Sequence, residues 1–289
     1  MKKNTFISGI LSISLLLSAL PTYAEDFEVS IKETPKASKP EESKPYEIVI
    51  EGEGTVPVDE IVNDIPMIFS AESTPSYYNS ADLGLITSVK NQNPFGTCWS
   101  FSTTSAMETS MIKNGYARLG EVDYSELHLA YFTHTRNSFT GDGEKVYSQS
   151  YGYYGGGSTI IAAQYLAGWQ GMANEEDFPY PPKSKDYTLP ESERYNSAAH
   201  LQDYYVLNEG SVKKAIMEHG SVVASYYDEN QYFSGNAYYR GIDENLTNHA
   251  ITIVGWDDNY ALSNFDSLTN KPKNPGAWIV KNSWGANWR

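Results

Sequence analysis

Apolar side chains recur with helical spacing in three segments of the chain. These segments run over about 98–114, 158–168 and 211–219. Ser158 stands at the start of the second segment as a candidate N-cap, and Gly220 follows the third, where a helix C-cap is expected. Such spacing and such end residues are typical of helices. We therefore predict three helices, the first of which begins at Cys98.

The second half of the chain changes to β-branched and aromatic runs bounded by Gly, Asn and Pro. These runs cover 221–227, 250–256 and 277–282, and an isolated run of the same kind covers 46–51. Each run predicts a strand. Helices that come first and strands that come later favour an α+β fold with a helical half and a sheet half.

The first 24 residues have the pattern of an export signal. Lys2 and Lys3 precede an apolar stretch over 6–20, and Ala24 supplies a small residue at the expected cleavage point. The alternative is an uncleaved anchor, which the shortness of the apolar stretch disfavours. Residues 1–24 are therefore predicted to be a signal peptide, and the mature chain is predicted to have no membrane span.

Residues 25–74 differ in composition from the rest of the chain. The part over 32–46 is dense in Lys, Glu, Pro and Ser and has no aromatic residue before Tyr46. Such a segment buries too little apolar surface to order itself, so 25–74 is interpreted as an acidic, Pro-rich pro-segment or linker. Globular sequence begins at Pro75, and 75–289 is predicted to be the functional domain.

Charge and cysteine content exclude several classes of protein. The 289 residues carry a formal net charge of −15, which repels phosphate backbones and argues against a nucleic-acid partner. With one cysteine, Cys98, the chain can form no internal disulfide and no thiol-rich metal site. The His-Glu-x-x-His pattern of metallohydrolases is absent from the sequence. We therefore predict no metal and no cofactor.

Cys98 is a candidate nucleophile. A lone cysteine is most often a small buried hydrophobe. This one stands at the start of a predicted helix, however, where the helix dipole favours a thiolate, and Gly96 permits close backbone approach before it. A neighbouring imidazolium would favour the thiolate further, so a histidine from elsewhere in the chain is required.

His249 is the preferred base among five histidines because it directly precedes a predicted strand, which would position it rigidly. Asn282, at the end of another predicted strand, is a candidate acceptor for the imidazole N–H, and Trp284 would shield that bond from water. Gln92 and the Cys98 amide are candidate donors to an oxyanion. Structural or solvated roles are expected for the other four histidines, which are His128, His134, His200 and His219.

The order of these motifs resembles the papain family of cysteine peptidases. The similar segments are 85–92 (LITSVKNQ), 96–102 (GTCWSFS), 155–157 (GGG), 178–180 (FPY), 248–250 (NHA) with 255–256 (GW), and 281–285 (KNSWG). Together they cover most of 75–289. The resemblance implies a two-lobed fold, with a helical left lobe, an antiparallel β-barrel-like right lobe and the active-site cleft between them.

The resemblance also implies a role for each matching residue. The catalytic residues would be Cys98, His249, Asn282 and Gln92, and the substrate-binding residues would be Gly156, Gly157, Asn248 and Trp284.

The chain departs from the family pattern at several points. Phe95 stands where many members have a disulfide cysteine, Asn248 replaces an Asp found in several members, and 257–275 resembles an inserted loop. The leader is similar to the short leaders of bacterial members. Because the family continues past its Ser-Trp-Gly motif with further strands, the chain is expected to be truncated at Arg289 and to lack its C-terminal strands.

The function implied is that of a secreted or envelope-associated endopeptidase that acts as a monomer on extended polypeptides. Two alternatives stay open. One is a non-catalytic surface binding or adhesion protein that retains the fold. The other is a different Cys–His acyl-transferring enzyme, transglutaminase-like or a cell-wall endopeptidase, although those enzymes usually have Asp as the third member.

Overall fold

The structure is a computed structural model that describes residues 10–12, 47–50, 54–57, 74–134, 156–180, 189–241, 246–265 and 271–288. The predicted export signal lies outside the described residues except for 10–12, and so does the predicted pro-segment except for 47–50, 54–57 and Thr74. Gly155 of the glycine motif also lies outside them. The chain divides into two compact units, one of Met1–Ser18 with Thr74–Arg289 and one of Ala19–Ser73.

The helices are α1 (Cys98–Lys113), α2 (Glu126–His134), α3 (Thr159–Tyr165) and α4 (Val212–His219). The strands are β1 (Ile10–Ser12), β2 (Glu47–Ile50), β3 (Gly54–Pro57), β4 (Tyr77–Asn79), β5 (Tyr205–Val206), β6 (Val222–Tyr226), β7 (Phe233–Ser234), β8 (Ala237–Tyr238), β9 (His249–Asp257) and β10 (Ala277–Lys281). No helix in the described part of the chain combines the length and the apolar character that crossing a membrane requires.

All three predicted helices are confirmed. The Ser158 hydroxyl caps α3 by accepting the Ile160 N–H at 3.2 Å. Gly220 ends α4 with φ 89°, a left-handed conformation that glycine adopts without strain. The predicted second helix is shorter than expected, because α3 passes into a π-helical turn, Leu166–Gln170, in which Trp169 has φ 66°.

The main sheet has the strand order β10-β9-β6-β1-β5, with β4 also paired to β9, and all these pairs are antiparallel. The three strands predicted in the second half of the chain are β6, β9 and β10. The predicted run over 46–51 forms β2, and β2 pairs with β3 within the unit of Ala19–Ser73. Over the described residues the sheet is open and does not close into a barrel.

A β-bulge interrupts the pairing of β9 with β10. Lys281 pairs with Thr252 and Val280 with Ile253, but Ile279 pairs with Gly255, so Val254 is the extra residue of β9. A bulge of this kind shifts the register of two strands by one residue.

The long helix α1 packs its buried side chains between the other left-lobe helices and the sheet. Trp99 and Met107 are core residues of α1, and they belong to one cluster with Leu166 and Val223. The Thr252 hydroxyl of β9 donates to the carbonyl of Ser102 at 3.2 Å, which fixes the sheet to the helix. The two lobes therefore meet along α1.

Buried charges join the same two lobes. Lys90 Nζ lies 2.9 Å from a carboxylate oxygen of Glu126 on α2 and 3.6 Å from Glu108 on α1. Burial raises the pKa of Glu126 to about 8, although the positive charge of Lys90 acts in the opposite direction. On the sheet side, Lys281 Nζ donates to the Thr87 hydroxyl at 2.9 Å, and that hydroxyl in turn donates to Glu108. This interlobe charge cluster anchors β10 immediately before Asn282.

Close packing at Gly255 gives a test of the sheet. A Cβ added at Gly255 would lie 2.1 Å from the backbone oxygen of Tyr78 on β4, closer than any real contact allows. We expect Gly255→Ala to lower the free energy of unfolding by about 1–3 kcal/mol, because the strands must separate to admit the methyl group. Urea denaturation measures the change. Gly210→Ala is the matched control, since its added Cβ would lie 3.4 Å from Asn208 Oδ1; an equal loss there would contradict the explanation.

Candidate active site

Cys98 is the first residue of α1, and its thiol is half-buried at the junction of the lobes. The backbone N–H groups of Ala250, Trp99 and Cys98 itself donate towards the sulfur. Burial raises the pKa of the thiol, whereas these three donors lower it. The Ala250 contact places the sulfur beside the residue that follows His249 on β9.

His249 begins β9, and its side chain is held by Asn282. The imidazole Nε2 lies 2.8 Å from Asn282 Oδ1, which also accepts the Ser283 backbone N–H at 2.8 Å. An amide oxygen can only accept, so Nε2 of His249 carries a proton in this bond. In the neutral ring Nδ1 is then the unprotonated nitrogen, as a general base requires.

The Trp284 ring covers the imidazole. The two rings stack with centroids 4.7 Å apart and an interplanar angle of 27°, and Trp288 packs edge-on against Trp284 at 4.4 Å. Only 8% of the His249 surface is exposed. Burial lowers the pKa of His249, whereas the hydrogen bond to Asn282 raises it.

Gln92 is fixed beside the asparagine strand. Its side-chain oxygen accepts from the Ser283 hydroxyl at 2.6 Å, and its Nε2 donates to the Phe95 carbonyl at 3.0 Å. The Gln92 backbone N–H also donates to the Ser283 carbonyl at 2.8 Å. An amide nitrogen carries two hydrogens, of which the bond to Phe95 uses one.

The two described glycines of the glycine motif precede α3. Gly156 has φ 76°. A Cβ added at Gly157 would lie 2.3 Å from the Trp99 indole, so the backbone of this exposed segment lies directly on the residue that follows Cys98. A side chain at this position would push the segment away from α1.

The Asn248 side chain binds the chain after β6. Its Oδ1 accepts the Asp228 N–H at 2.6 Å, and its Nδ2 donates to the Asp228 carbonyl at 2.9 Å. Neither Asp228 nor Ser283 is among the site residues expected from the sequence. Ser283 could have been noticed because it adjoins the candidate Asn282, but nothing local to Asp228 marks it.

The described side chains of the other histidines lie in different surroundings. His128 is buried in the left lobe with Nε2 at 2.7 Å from the Glu193 carbonyl oxygen, and His200 stacks on Trp169 at 4.5 Å. His219 ends α4, and burial lowers its pKa to about 4.

The fold, with a helical lobe and an antiparallel sheet meeting at a Cys–His–Asn arrangement, is that of a papain-like cysteine protease. A family model described as papain family cysteine protease matches residues 74–289. The chain therefore belongs to the papain family of cysteine proteases.

Known proteins with similar sequences and structures agree with this family. A cysteine protease of Blomia tropicalis is 27% identical over 231 residues, which are 77% of this chain and 61% of the relative. The clostridial cysteine protease Cwp84, solved after propeptide cleavage, is 36% identical with a TM-score of 0.59, over 73% of this chain and 51% of that one. A structure of the cysteine protease and lectin-like domains of Cwp84, a surface layer associated protein of Clostridium difficile, is 32% identical with a TM-score of 0.59, over 80% and 52%. The chain thus spans between about half and three fifths of the length of these relatives.

Proposed function

We propose that the protein is an exported cysteine endopeptidase that hydrolyses polypeptides through a Cys98 thioester. The observation that carries the proposal is the 2.8 Å bond between His249 Nε2 and Asn282 Oδ1, with the Cys98 thiol at the amide of the next residue, Ala250. This arrangement leaves an unprotonated imidazole nitrogen for the thiol proton.

The first half of the reaction acylates the enzyme. Nδ1 of His249 takes the proton from Cys98, and the thiolate attacks the substrate carbonyl carbon to form a C–S bond. The oxyanion that develops accepts hydrogen bonds from the Cys98 N–H and from Gln92 Nε2. The imidazolium then gives its proton to the leaving amine as the C–N bond breaks.

The second half returns the free thiol. His249 takes a proton from water, whose oxygen attacks the thioester carbon. The C–S bond breaks, the acid product leaves, and the proton returns to the sulfur of Cys98. Asn282 keeps the ring oriented in both halves by accepting from Nε2.

The thiol and the imidazole titrate as a coupled pair. Burial disfavours the charged form of each group, because it raises the pKa of Cys98 and lowers that of His249. The attraction between thiolate and imidazolium, together with the three N–H donors around the sulfur, opposes this penalty. The ion pair therefore depends on both partners being present.

An extended substrate would pair its backbone with the Gly156–Gly157 segment, which the contact with Trp99 holds next to Cys98. Trp284, stacked on His249, would form the wall of the cleft on the leaving-group side, and Asn248 would border the cleft at the start of β9. The proposed enzyme acts as a monomer on polypeptides, without nucleic acid, metal or cofactor.

Export and association with the cell envelope form part of the proposal. The signal pattern over 1–24 supports export, and the surface layer association of Cwp84 supports an envelope location. Residues 25–74 would then be a pro-segment, and 75–289 the peptidase domain. N-terminal sequencing of the secreted protein should begin at Glu25 before pro-segment removal; an intact Met1 on the exported chain would contradict cleavage.

Labelling by an epoxysuccinyl inhibitor tests the proposed function. The full chain should be labelled rapidly at Cys98 and should cleave casein, because only an activated thiolate opens the epoxide quickly. Mass spectrometry identifies the adduct, and unfolded protein at the same pH is the control for intrinsic thiol reactivity. A folded chain that reacts no faster than the unfolded control would instead favour a non-catalytic binding protein. Cleavage of peptidoglycan rather than casein would indicate a cell-wall enzyme.

A further inference from the structure

The loop that follows β6 places an acidic residue, Asp228, beside the candidate site. The Tyr226 hydroxyl donates to Asp228 Oδ1 at 2.7 Å. The backbone of Asp228 is held on both sides by the Asn248 amide, at 2.6 Å and 2.9 Å. The Asn248 N–H also donates to the Tyr226 carbonyl at 3.1 Å. Side chain and backbone of Asp228 are therefore both fixed to residues that adjoin His249.

Tyr226 connects the carboxylate to the imidazole. It is the direct partner of His249 in the pairing of β6 with β9, and its ring packs edge-on against the imidazole with centroids 5.6 Å apart. Tyr238 of β8 packs edge-on against Tyr226 at 5.0 Å from the other direction. These contacts leave the hydroxyl of Tyr226 directed at Asp228 while its ring touches His249.

The charge of Asp228 acts on both members of the Cys–His pair. Burial is the largest influence on each, raising the pKa of Cys98 and lowering that of His249, but the negative charge of Asp228 raises the pKa of both. The titratable groups that face this carboxylate are Cys98 from α1, Tyr226 from β6, Tyr238 from β8 and His249 from β9. Arg240 and Glu229 act in turn on Tyr238.

We propose that Asp228 is a positioning residue whose charge, fixed by Tyr226 and Asn248, sets the pH range over which the Cys98–His249 ion pair exists. This proposal deepens the proposed function and rests on it. A fixed negative charge stabilises the imidazolium and disfavours the thiolate. It therefore moves both ends of the active range to higher pH, so that activity extends further into alkaline solution.

Alkylation of Cys98 tests the proposal without requiring turnover. Because the chain has one cysteine, every iodoacetamide adduct that mass spectrometry finds on a cysteine side chain reports on this thiol. The alkylation rate of the full chain is measured against pH, where one inflection marks formation of the ion pair and the next marks loss of the imidazolium proton. In Asp228→Asn both inflections should move to lower pH by about half to one unit, because the variant loses one charge–charge interaction with each member of the pair.

Two variants separate the local charge from other effects. Glu229→Gln removes the same charge one residue further on, from a side chain that accepts from Gln231 at 3.1 Å, and should leave both inflections in place. Asp228→Glu keeps the charge and should restore the wild-type profile to within a few tenths of a unit.

The outcomes that would overturn the proposal are unchanged inflections in Asp228→Asn, or an equal shift in Glu229→Gln. Tyr226→Phe gives a second route if Asp228→Asn does not fold. Release of the carboxylate should shift both inflections in the same direction by a smaller amount, and no shift would count against the proposal. A wild-type chain that shows both inflections but cleaves no polypeptide would contradict the proposed function and leave this test intact.

Discussion

Cys98→Ala is expected to abolish hydrolysis of casein, with a rate at least about a millionfold below that of the wild type. The methyl group has no electron pair for the substrate carbonyl, and no other thiol exists in the chain to replace it. The fold should persist, because the helix that begins at residue 98 is held by the buried side chains that follow, such as Trp99 and Met107. Fluorescence release from labelled casein measures activity, and circular dichroism with urea denaturation measures folding.

Cys98→Ser is the matched control for this prediction. It keeps a nucleophilic atom of similar position and size, but a hydroxyl does not ionise at neutral pH beside a histidine alone. It should be folded and nearly as inactive as Cys98→Ala. Casein cleavage that survives in both variants, and that an epoxysuccinyl inhibitor does not block, would show that Cys98 is not the nucleophile.

His249→Ala is expected to lower kcat/KM by about a thousandfold to ten-thousandfold, the size of effect associated with a lost general acid and base. The variant loses the group that is proposed to accept the thiol proton and to protonate the leaving amine. It also loses the positive charge that opposes the burial of the thiolate. The rate of Cys98 alkylation at neutral pH should therefore fall together with kcat/KM, because the remaining thiol has its pKa raised by burial.

His200→Ala is the control for His249→Ala. His200 is partly exposed and stacks on Trp169, and burial lowers its pKa as it does for His249. Its loss should leave kcat/KM and the alkylation rate within about twofold of the wild type, as expected for a residue that plays no part in the chemistry. A full loss of activity in His200→Ala, or a His249→Ala variant that alkylates normally, would contradict the assigned base.

The helices and strands that bear the candidate site could be predicted because their signals are local. The helix beginning at Cys98, the strand at His249 and the strand before Asn282 each have a periodic or β-branched run with a clear boundary. The hydrogen bond between His249 and Asn282 was expected from the order of motifs, and the structure places these two side chains 2.8 Å apart.

Features that depend on contacts between distant residues could not be predicted. The interlobe charge cluster, with Lys90, Glu108 and Lys281, forms only when the two lobes pack. In the sequence, each of these residues taken alone predicts an exposed surface charge. Helix α2 is not among the predicted helices, because most of its described side chains are buried and no polar face marks its period. The π-helical turn at Trp169 likewise has no signature in the sequence.

The position of Asp228 beside the candidate site likewise could not be predicted from the sequence. Asn248 directly precedes the candidate histidine in the sequence, but no local signal shows which group its amide binds. The group that Asn248 binds is the backbone of Asp228, twenty residues upstream and just after a neighbouring strand. The two residues come together only because Tyr226 pairs with His249. Side chains can be recognised in a sequence by their chemical type and by the order of their motifs. A side chain whose proposed role depends on its hydrogen-bond partners in the fold cannot.

The bulge at Val254 has a consequence for how far the length of β9 could change in evolution. Val254 is the extra residue of the strand, so excising it would leave the residue pairs on both sides of it unchanged and would only remove the local kink. A single-codon deletion at this point would therefore keep the register of β9 with β10, and the candidate side chains of His249 and Asn282 would remain neighbours.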